Sequence, residues 1–147
     1  MFYKHILVPV DGSDISFSAV KHASEIARAF QSQLSLISIV TENPFQEADF
    51  YTGSAIMKEY FVIAEQNANE ALVKAKKIAS DAGITAQTSV IKGDLSEQTV
   101  IETSQNLNAD LIVMGSHGRK GFQKFLLGSF ANDVLKNTTL PVLIIKS

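Results

Sequence analysis

The chain of 147 residues has the length of one domain, and its 46% hydrophobic and 19% charged residues are typical of a folded protein rather than a disordered one. No apolar run approaches the ~20 residues of a membrane-spanning helix. The formal net charge of -2 argues against a nucleic-acid surface, which needs a basic face. The absence of cysteine excludes disulfides, thiol catalysis and cysteine-bound metal.

The beginning of the chain also bears on its location. Residues 1–5 run directly into a strand pattern and lack a long apolar signal segment with a small-residue cleavage site. This start favours a cytoplasmic protein.

Short apolar runs predict five strands. The first, His5–Val10, is apolar at successive positions, as expected where helices cover both faces of a parallel sheet. Pro9 lies near its end, where a missing N–H disturbs a sheet least. The other predicted strands are 34–40, 85–92, 109–114 and 140–145.

The segments between these strands carry apolar residues at helical spacing. The irregular segment from Thr41 to Ser54 is expected to be a loop. The predicted helices are one after the turn cluster 11–14, one across 60–79 that stops at Gly83, one across 95–106, and a short one with Ser129 as its N-cap.

The alternation of strands and helices predicts an α/β domain with a mostly parallel sheet and right-handed crossovers. In such open sheets, ligands bind beyond the carboxyl ends of the strands, where the winding direction reverses. A phosphoreceiver domain is an alternative, because it also has five strands with carboxylates at strand ends. Its acceptor site would not explain the glycine spacing described next. The residues that loosely match a phosphoreceiver site are Asp11, Asp14, Asp94, Ser116 and Lys146.

A glycine-punctuated segment follows the fourth strand. Glycines without a Cβ let backbone N–H groups approach a ligand, and a helix N-terminus attracts anions. Arg119 and Lys120 can offset phosphate charge, so the segment is compatible with a phosphate site. The alternative is that its glycines only serve turns and that Ser129 is an ordinary cap. The glycines are at positions 115, 118, 121 and 128.

The spacing Gly115-x2-Gly118-x9-Gly128-Ser129 resembles the G-x2-G-x9-G-[S/T] pattern of the ATP-binding branch of the universal stress protein family. The resemblance covers essentially the whole chain, from Ile6-Leu7-Val8-Pro9-Val10-Asp11-Gly12-Ser13 to Leu140-Pro141-Val142-Leu143-Ile144-Ile145. It implies one universal stress protein domain over 1–147, with a Rossmann-like sheet of strand order 3-2-1-4-5 and helices on both faces. The winding would then reverse between strands one and four.

The resemblance also implies a ligand and its contacts. The ligand is an adenine nucleotide, ATP, with Mg²⁺ as an optional partner of its phosphates, and the implied role is in stress response. The implied nucleotide-binding residues are Pro9, Asp11, Ile39, Met114, Gly115, His117, Gly118, Arg119, Gly128, Ser129 and Phe130.

Several of these residues have a second interpretation. Asp11 can accept a hydrogen bond from an adenine amino group or a ribose hydroxyl, or it can cap the first helix. Ile39 can lie against the base or belong to the core, and Ser129 can donate to a phosphate or only cap. His117 is interpreted as loop surface whose backbone matters more than its ring. Phe130 replaces the small or β-branched residue expected in this family, and its bulk would narrow the phosphate end.

Motifs of efficient catalysis are missing. The chain has neither the G-x4-G-K-[S/T] of a P-loop nor G-x-G-x-x-G, and it shows no Ser-His-Asp order and no H-E-x-x-H helix. We therefore predict no catalytic residue, no protein metal site and at most a slow ATPase. A nucleotide-free dimeric scaffold is the alternative function.

The last apolar run, Leu140–Ile145, would be an edge strand in the implied order, with Val142–Ile145 as its pairing segment. A flat apolar edge pairs with another chain unless it is covered. The resemblance implies a homodimer through this strand; the alternative is an edge shielded by the neighbouring helix. No nucleic-acid or membrane partner is expected.

Overall fold

The computed structural model describes residues 3–41, 54–118 and 127–146. Within these ranges the chain alternates strictly between strands and helices, as the apolar pattern predicted. The elements are β1 His5–Pro9, α1 Asp14–Phe30, β2 Gln33–Val40, α2 Ser54–Asp81, β3 Gln87–Lys92, α3 Glu97–Asn106, β4 Leu111–Gly115, α4 Ser129–Asn137 and β5 Val142–Ile145.

The strands form one parallel sheet in the order β3-β2-β1-β4-β5, which confirms the predicted architecture. β1 is central. It pairs with β2 through His5 opposite Gln33 and with β4 through Ile6 opposite Leu111. Every observed strand pair is parallel, so the sheet is more uniform than the predicted "mostly parallel". The winding reverses between β1 and β4, and the loops after these two strands leave the same edge of the sheet.

Helices cover both faces of the sheet. Because side chains alternate along a strand, Val8 faces one layer of helices and Leu7 the other, and both are fully buried. On the α1 and α2 face the cluster includes Val8, Val20, Leu36, Leu72, Ala75 and Val113. On the α3 and α4 face it consists of Leu7, Ile37, Val100, Ala109, Ile112, Met114, Ala131 and Val134.

Some element boundaries differ from the predictions. The second helix begins at Ser54 rather than near Tyr60, because Ile56 and residues 58–60 are exposed and carry little periodic burial signal. The third helix begins at Glu97, after an extended Ser96, and the side chain of Leu95 is exposed outside it. β3 begins at Gln87 rather than Thr85.

The predicted loop from Thr41 to Ser54 lies outside the described residues except at these two ends. In the described part of the chain, no helix is both long and apolar enough to cross a membrane.

Candidate functional site

The candidate site lies where the chain leaves β1 and β4 at the carboxyl edge of the sheet. Beyond Pro9, the N–H of Val10 donates to the carbonyl of Ile37 over 2.7 Å and keeps the chain beside β2. Asp11 is the first exposed residue after this bond. The end of β1 therefore directs the Asp11 carboxylate out of the sheet, beside the loop that follows β4.

The two carboxylate oxygens of Asp11 have different surroundings. Oδ1 accepts hydrogen bonds from the backbone N–H of Ser13 over 2.9 Å and from its hydroxyl over 2.5 Å. Ser13 is itself the N-cap of α1, because its hydroxyl accepts from the N–H of Ser16 over 3.2 Å. Asp11 thus supports the cap without being the cap, and Oδ1 is committed to that role.

Oδ2 faces the loop after β4. A Cβ on Gly118 would lie only 2.7 Å from Oδ2, closer than real Cβ contacts come. A Cβ on Gly115 would lie 3.0 Å from Cγ2 of Ile15 at the start of α1. The absence of side chains at Gly115 and Gly118 therefore allows the β4 loop to lie directly against the β1 loop.

Gly128 brings a second part of the chain to the same place. Its N–H donates to the carbonyl of Ser116 over 2.7 Å, and a Cβ on it would lie 3.0 Å from that carbonyl oxygen. Its own carbonyl accepts from the N–H of Asn132 over 2.9 Å, which begins α4. The start of α4 is therefore held against the backbone of Ser116.

The prediction that Ser129 is the N-cap of this helix is wrong, because Gly128 takes that position with extended backbone angles of φ -65° and ψ 158°. The tertiary contact between Gly128 and Ser116 sets where the helix begins and outweighs the usual preference of serine for a cap. Ser129 becomes the first helical residue, with an exposed side chain. Its hydroxyl is free of the capping role.

The floor of the site is apolar. Pro9 lies opposite Ile37, and Leu7, Ile37 and Met114 belong to the cluster on the α3 and α4 face. By strand alternation Pro9 shares this face with Leu7. Ile39 packs against the same cluster and is half-buried, like Pro9, whereas Met114 is buried. A half-exposed apolar surface therefore lies next to the polar loops.

Two further predicted residues have partners of their own. The half-buried ring of Phe130 packs against the cluster on the α3 and α4 face, so its bulk contributes to the core. Nδ1 of His117 lies 3.0 Å from the hydroxyl of Ser116. Arg119 lies outside the described residues, as does Lys120.

Two residues that shape the site were not among the predicted site residues, although Ser13 was placed in the turn cluster 11–14. Ser13 binds Oδ1 of Asp11, and Ile15 packs where a Gly115 side chain would be. The Asp-x-Ser spacing was a usable signal for the first, because an aspartate often accepts from the backbone two residues later. The Ile15 contact is tertiary and had no local signal.

The residues that resembled a phosphoreceiver site are not brought together. Asp94 follows β3 and Lys146 follows β5, and these are opposite edges of the sheet. Four strand spacings separate them, or about 19 Å. Nor does any group of three or more His, Cys, Asp or Glu residues within 3–41, 54–118 and 127–146 form a possible metal site.

Comparison with known proteins places the chain in a family and supports the fold. The model of the universal stress protein family matches residues 2–146. Universal stress protein MJ0531 of Methanocaldococcus jannaschii is 38% identical over 148 residues, which cover 98% of this chain and 82% of that protein.

Solved structures share the architecture. Universal stress protein UspA from Lactobacillus plantarum matches with a TM-score of 0.83 at 23% identity, over 99% of each chain. A universal stress protein crystallised in complex with cAMP matches with a TM-score of 0.70 at 25% identity, over 99% of this chain and 98% of that one. The family match across nearly the whole sequence, together with the 38% identical relative, shows that this protein belongs to the universal stress protein family.

Proposed function

We propose that this protein binds an adenine nucleotide, ATP, between the loops that follow β1 and β4, and acts in stress response as a nucleotide-dependent regulatory or binding protein. The observation that carries the proposal is the approach of Asp11 to Gly118, where a Cβ would lie 2.7 Å from Oδ2. A side chain on Gly118 would close this space. The universal stress protein crystallised with cAMP supports an adenine nucleotide as the class of ligand.

Each part of the site has a chemical role in the proposal. The half-exposed surface of Pro9 and Ile39 is an apolar contact for the base, and Met114 and Gly115 lie near the ribose. Oδ2 of Asp11 accepts from an adenine amino group or a ribose hydroxyl, because Oδ1 is already bound to Ser13. These groups recognise the nucleoside.

The phosphates would lie at the start of α4. Backbone N–H groups at a helix N-terminus, with the helix dipole, stabilise an anion there. The exposed hydroxyl of Ser129 can donate to a phosphate oxygen because it has no capping role. The remaining phosphate contacts are proposed to come from Gly118, Gly128 and the backbone of Phe130. Arg119 is proposed to add positive charge.

Magnesium fits this proposal as a partner of the phosphates. Mg²⁺ is commonly bound by substrate phosphates and water, with few protein carboxylates. The ion would neutralise phosphate charge. Asp11 is the carboxylate assigned to the proposed site, and its Oδ2 is the oxygen not bound to Ser13.

The proposal includes the biological setting expected from the sequence. Residues 1–147 act as one domain in the cytoplasm, as a homodimer paired through Val142–Ile145, without nucleic-acid or membrane partners. Turnover of ATP is at most slow, because the chain has no P-loop lysine. Fractionation of cells and light scattering test location and assembly.

Calorimetric titration of nucleotide-stripped protein with ATP and Mg²⁺ tests the proposal. We expect saturable binding that weakens about tenfold or more in Gly118→Ala, because the new Cβ displaces the carboxylate that binds the nucleoside. Ser129→Ala should weaken binding less, since it removes one hydroxyl.

Gly93→Ala is the matched control. It makes the same chemical change in another loop, where the Cβ would meet Thr99 at an ordinary 3.5 Å. It should bind ATP like the wild type. A folded wild type that binds no ATP at millimolar concentration would leave the nucleotide-free dimeric scaffold as the function to pursue.

A further inference from the structure

The loop after β4 contains a serine and a histidine in direct contact. Oγ of Ser116 lies 3.0 Å from Nδ1 of His117, and Ser116 is only 4% exposed. The backbone of Ser116 is fixed on both sides: its N–H donates to Ile145 over 2.8 Å, and its carbonyl accepts from Gly128 over 2.7 Å. The backbone that carries the hydroxyl is therefore held in place.

The direction of this hydrogen bond follows from burial. In the described part of the chain, Nδ1 of His117 is the one partner of the Ser116 hydroxyl. If Oγ accepted from Nδ1–H, the hydroxyl proton would have no acceptor among the described residues at a buried position, which is costly. If Ser116 donates instead, its proton is satisfied and the ring carries its own proton on Nε2.

His5 provides a contrast within the same chain. Its Nε2, rather than Nδ1, lies 2.7 Å from the hydroxyl of Ser35, which is also 4% exposed. By the same reasoning Ser35 donates to Nε2, and His5 carries its proton on Nδ1. The two histidines are therefore expected to hold opposite tautomers.

The backbone and Cβ of His117 lie beside the start of α4. A Cβ on Gly128 would lie 3.3 Å from Cα and 3.4 Å from Cβ of His117, and Gly128 is the N-cap of that helix. A helix N-terminus favours an anionic oxygen, and an N–H donor beside it serves the same ligand.

We infer that Ser116 is a positioning residue that fixes the Nε2–H tautomer of His117, and that this N–H donates to a phosphate oxygen of the bound nucleotide. The inference rests on the proposed function and gives the side chain of His117 a role in addition to that of its backbone. A ring free to exchange tautomers would present an acceptor to the phosphate part of the time. The Ser116 hydroxyl prevents this.

The first test is spectroscopic and needs no nucleotide. Long-range proton–nitrogen spectra of the labelled protein report the tautomer of each of its three histidines, assigned by single substitutions. We expect Nε2–H for His117 and Nδ1–H for His5. Ser116→Ala should give His117 a mixture of tautomers and leave His5 unchanged, and Ser116→Thr should restore the wild-type signal.

The second test measures ATP affinity. Ser116→Ala and His117→Ala should each weaken binding about threefold to tenfold, the effect of one hydrogen bond. The double variant should be no weaker than His117→Ala, because the serine acts through the ring. Ser116→Thr should restore affinity. Ser35→Ala is the matched control, since it alters the tautomer of His5 and leaves binding unchanged.

Several results would overturn the inference. One is an Nδ1–H signal for His117 in the wild type, and another is a Ser116→Ala effect that persists in the His117→Ala background. If the wild type binds no ATP, the proposed function and the phosphate contact both fail, while the spectrum still decides the tautomer. Should Ser116→Ala not fold, the wild-type spectrum and the half-buried His117→Ala decide the question.

Discussion

Asp11 and Gly118 meet across the reversal point of the sheet, with Oδ2 of the aspartate 2.7 Å from where a glycine Cβ would be. The two loops come from β1 and β4, which are neighbours in the sheet although about a hundred residues separate them in the chain. The carboxylate occupies the space that the missing side chain leaves. The geometry of each loop thus depends on the other.

Asp11→Asn separates the structural role of this residue from ligand binding. The amide oxygen should replace Oδ1, because the N–H and hydroxyl of Ser13 both donate to that position. The amide NH₂ then occupies the Oδ2 position. Because it is a hydrogen-bond donor, it cannot accept from the adenine amino group or the ribose hydroxyl. We expect ATP affinity to fall about tenfold by calorimetry, while urea unfolding changes by less than ~0.5 kcal/mol.

Asp14→Asn is the control for charge. Asp14 is exposed in the first turn of α1, so its loss costs only the ~0.3–1 kcal/mol of a carboxylate at a helix N-terminus. ATP affinity should remain at the wild-type value. Equal losses in Asp11→Asn and Asp14→Asn would show that net charge, rather than Oδ2, controls binding.

Gly128→Ala should destabilise the protein more than Gly93→Ala does. Its Cβ would lie 3.0 Å from the carbonyl oxygen of Ser116 and 3.3 Å from Cα of His117, and both are backbone atoms that cannot rotate away. We expect a loss of about 1–3 kcal/mol in urea unfolding, as in other overpacked sites. Gly93→Ala, with its nearest contact at 3.5 Å, should change stability by a smaller amount. A Gly128→Ala protein as stable as Gly93→Ala would contradict the close contact.

Most of the fold could be predicted because burial on both faces of a parallel sheet leaves a strong pattern. Leu7 and Val8 are fully buried on opposite faces, so β1 reads as a continuous apolar run. The start of α2 was missed because Ile56 in its first turn is exposed, which removes the helical period there. The periodicity of apolar residues predicts a helix only where one face of that helix packs against the core.

The site was predictable in part for a similar reason. Glycine spacing and the turn after Pro9 are local features that indicated candidate loops, and the strand order implied by the family resemblance predicted that these loops face each other. The start of α4 at Gly128 depends on a contact with Ser116, twelve positions earlier in the chain, and therefore could not be read from the residues near Ser129. The position of Asp11 Oδ2 beside Gly118 is also a product of tertiary packing.

Ile112→Ala tests the layer of core beneath the site. Ile112 is fully buried in the cluster on the α3 and α4 face, so truncation removes apolar contacts and leaves a cavity. Urea unfolding should show a loss of about 2–5 kcal/mol. Ile56→Ala is the matched substitution at a position that is 75% exposed in α2, and it should stay within ~0.5 kcal/mol of wild type. Similar losses at both positions would mean that Ile56 is covered in solution.

The edge strand β5 allows a specific test of the proposed dimer. The carbonyls of Pro141 and Ile145 accept from β4, over 3.1 Å from Ile112 and 2.8 Å from Ser116. Backbone groups of alternate residues point to opposite sides of a strand, so the N–H groups of Val142 and Ile144 face the open edge. A partner strand would bind there.

Val142→Pro should therefore convert the dimer to a monomer without breaking the β4–β5 ladder. Proline removes the outward N–H of residue 142, and its restricted φ is compatible with an edge strand. Light scattering at micromolar concentration should give a dimer for wild type and for Val142→Ala, which keeps the N–H, and a monomer for Val142→Pro. ATP affinity should be unchanged in both variants if each protomer carries a complete site. A monomeric wild type, or a dimeric Val142→Pro protein, would show that β5 is not the interface.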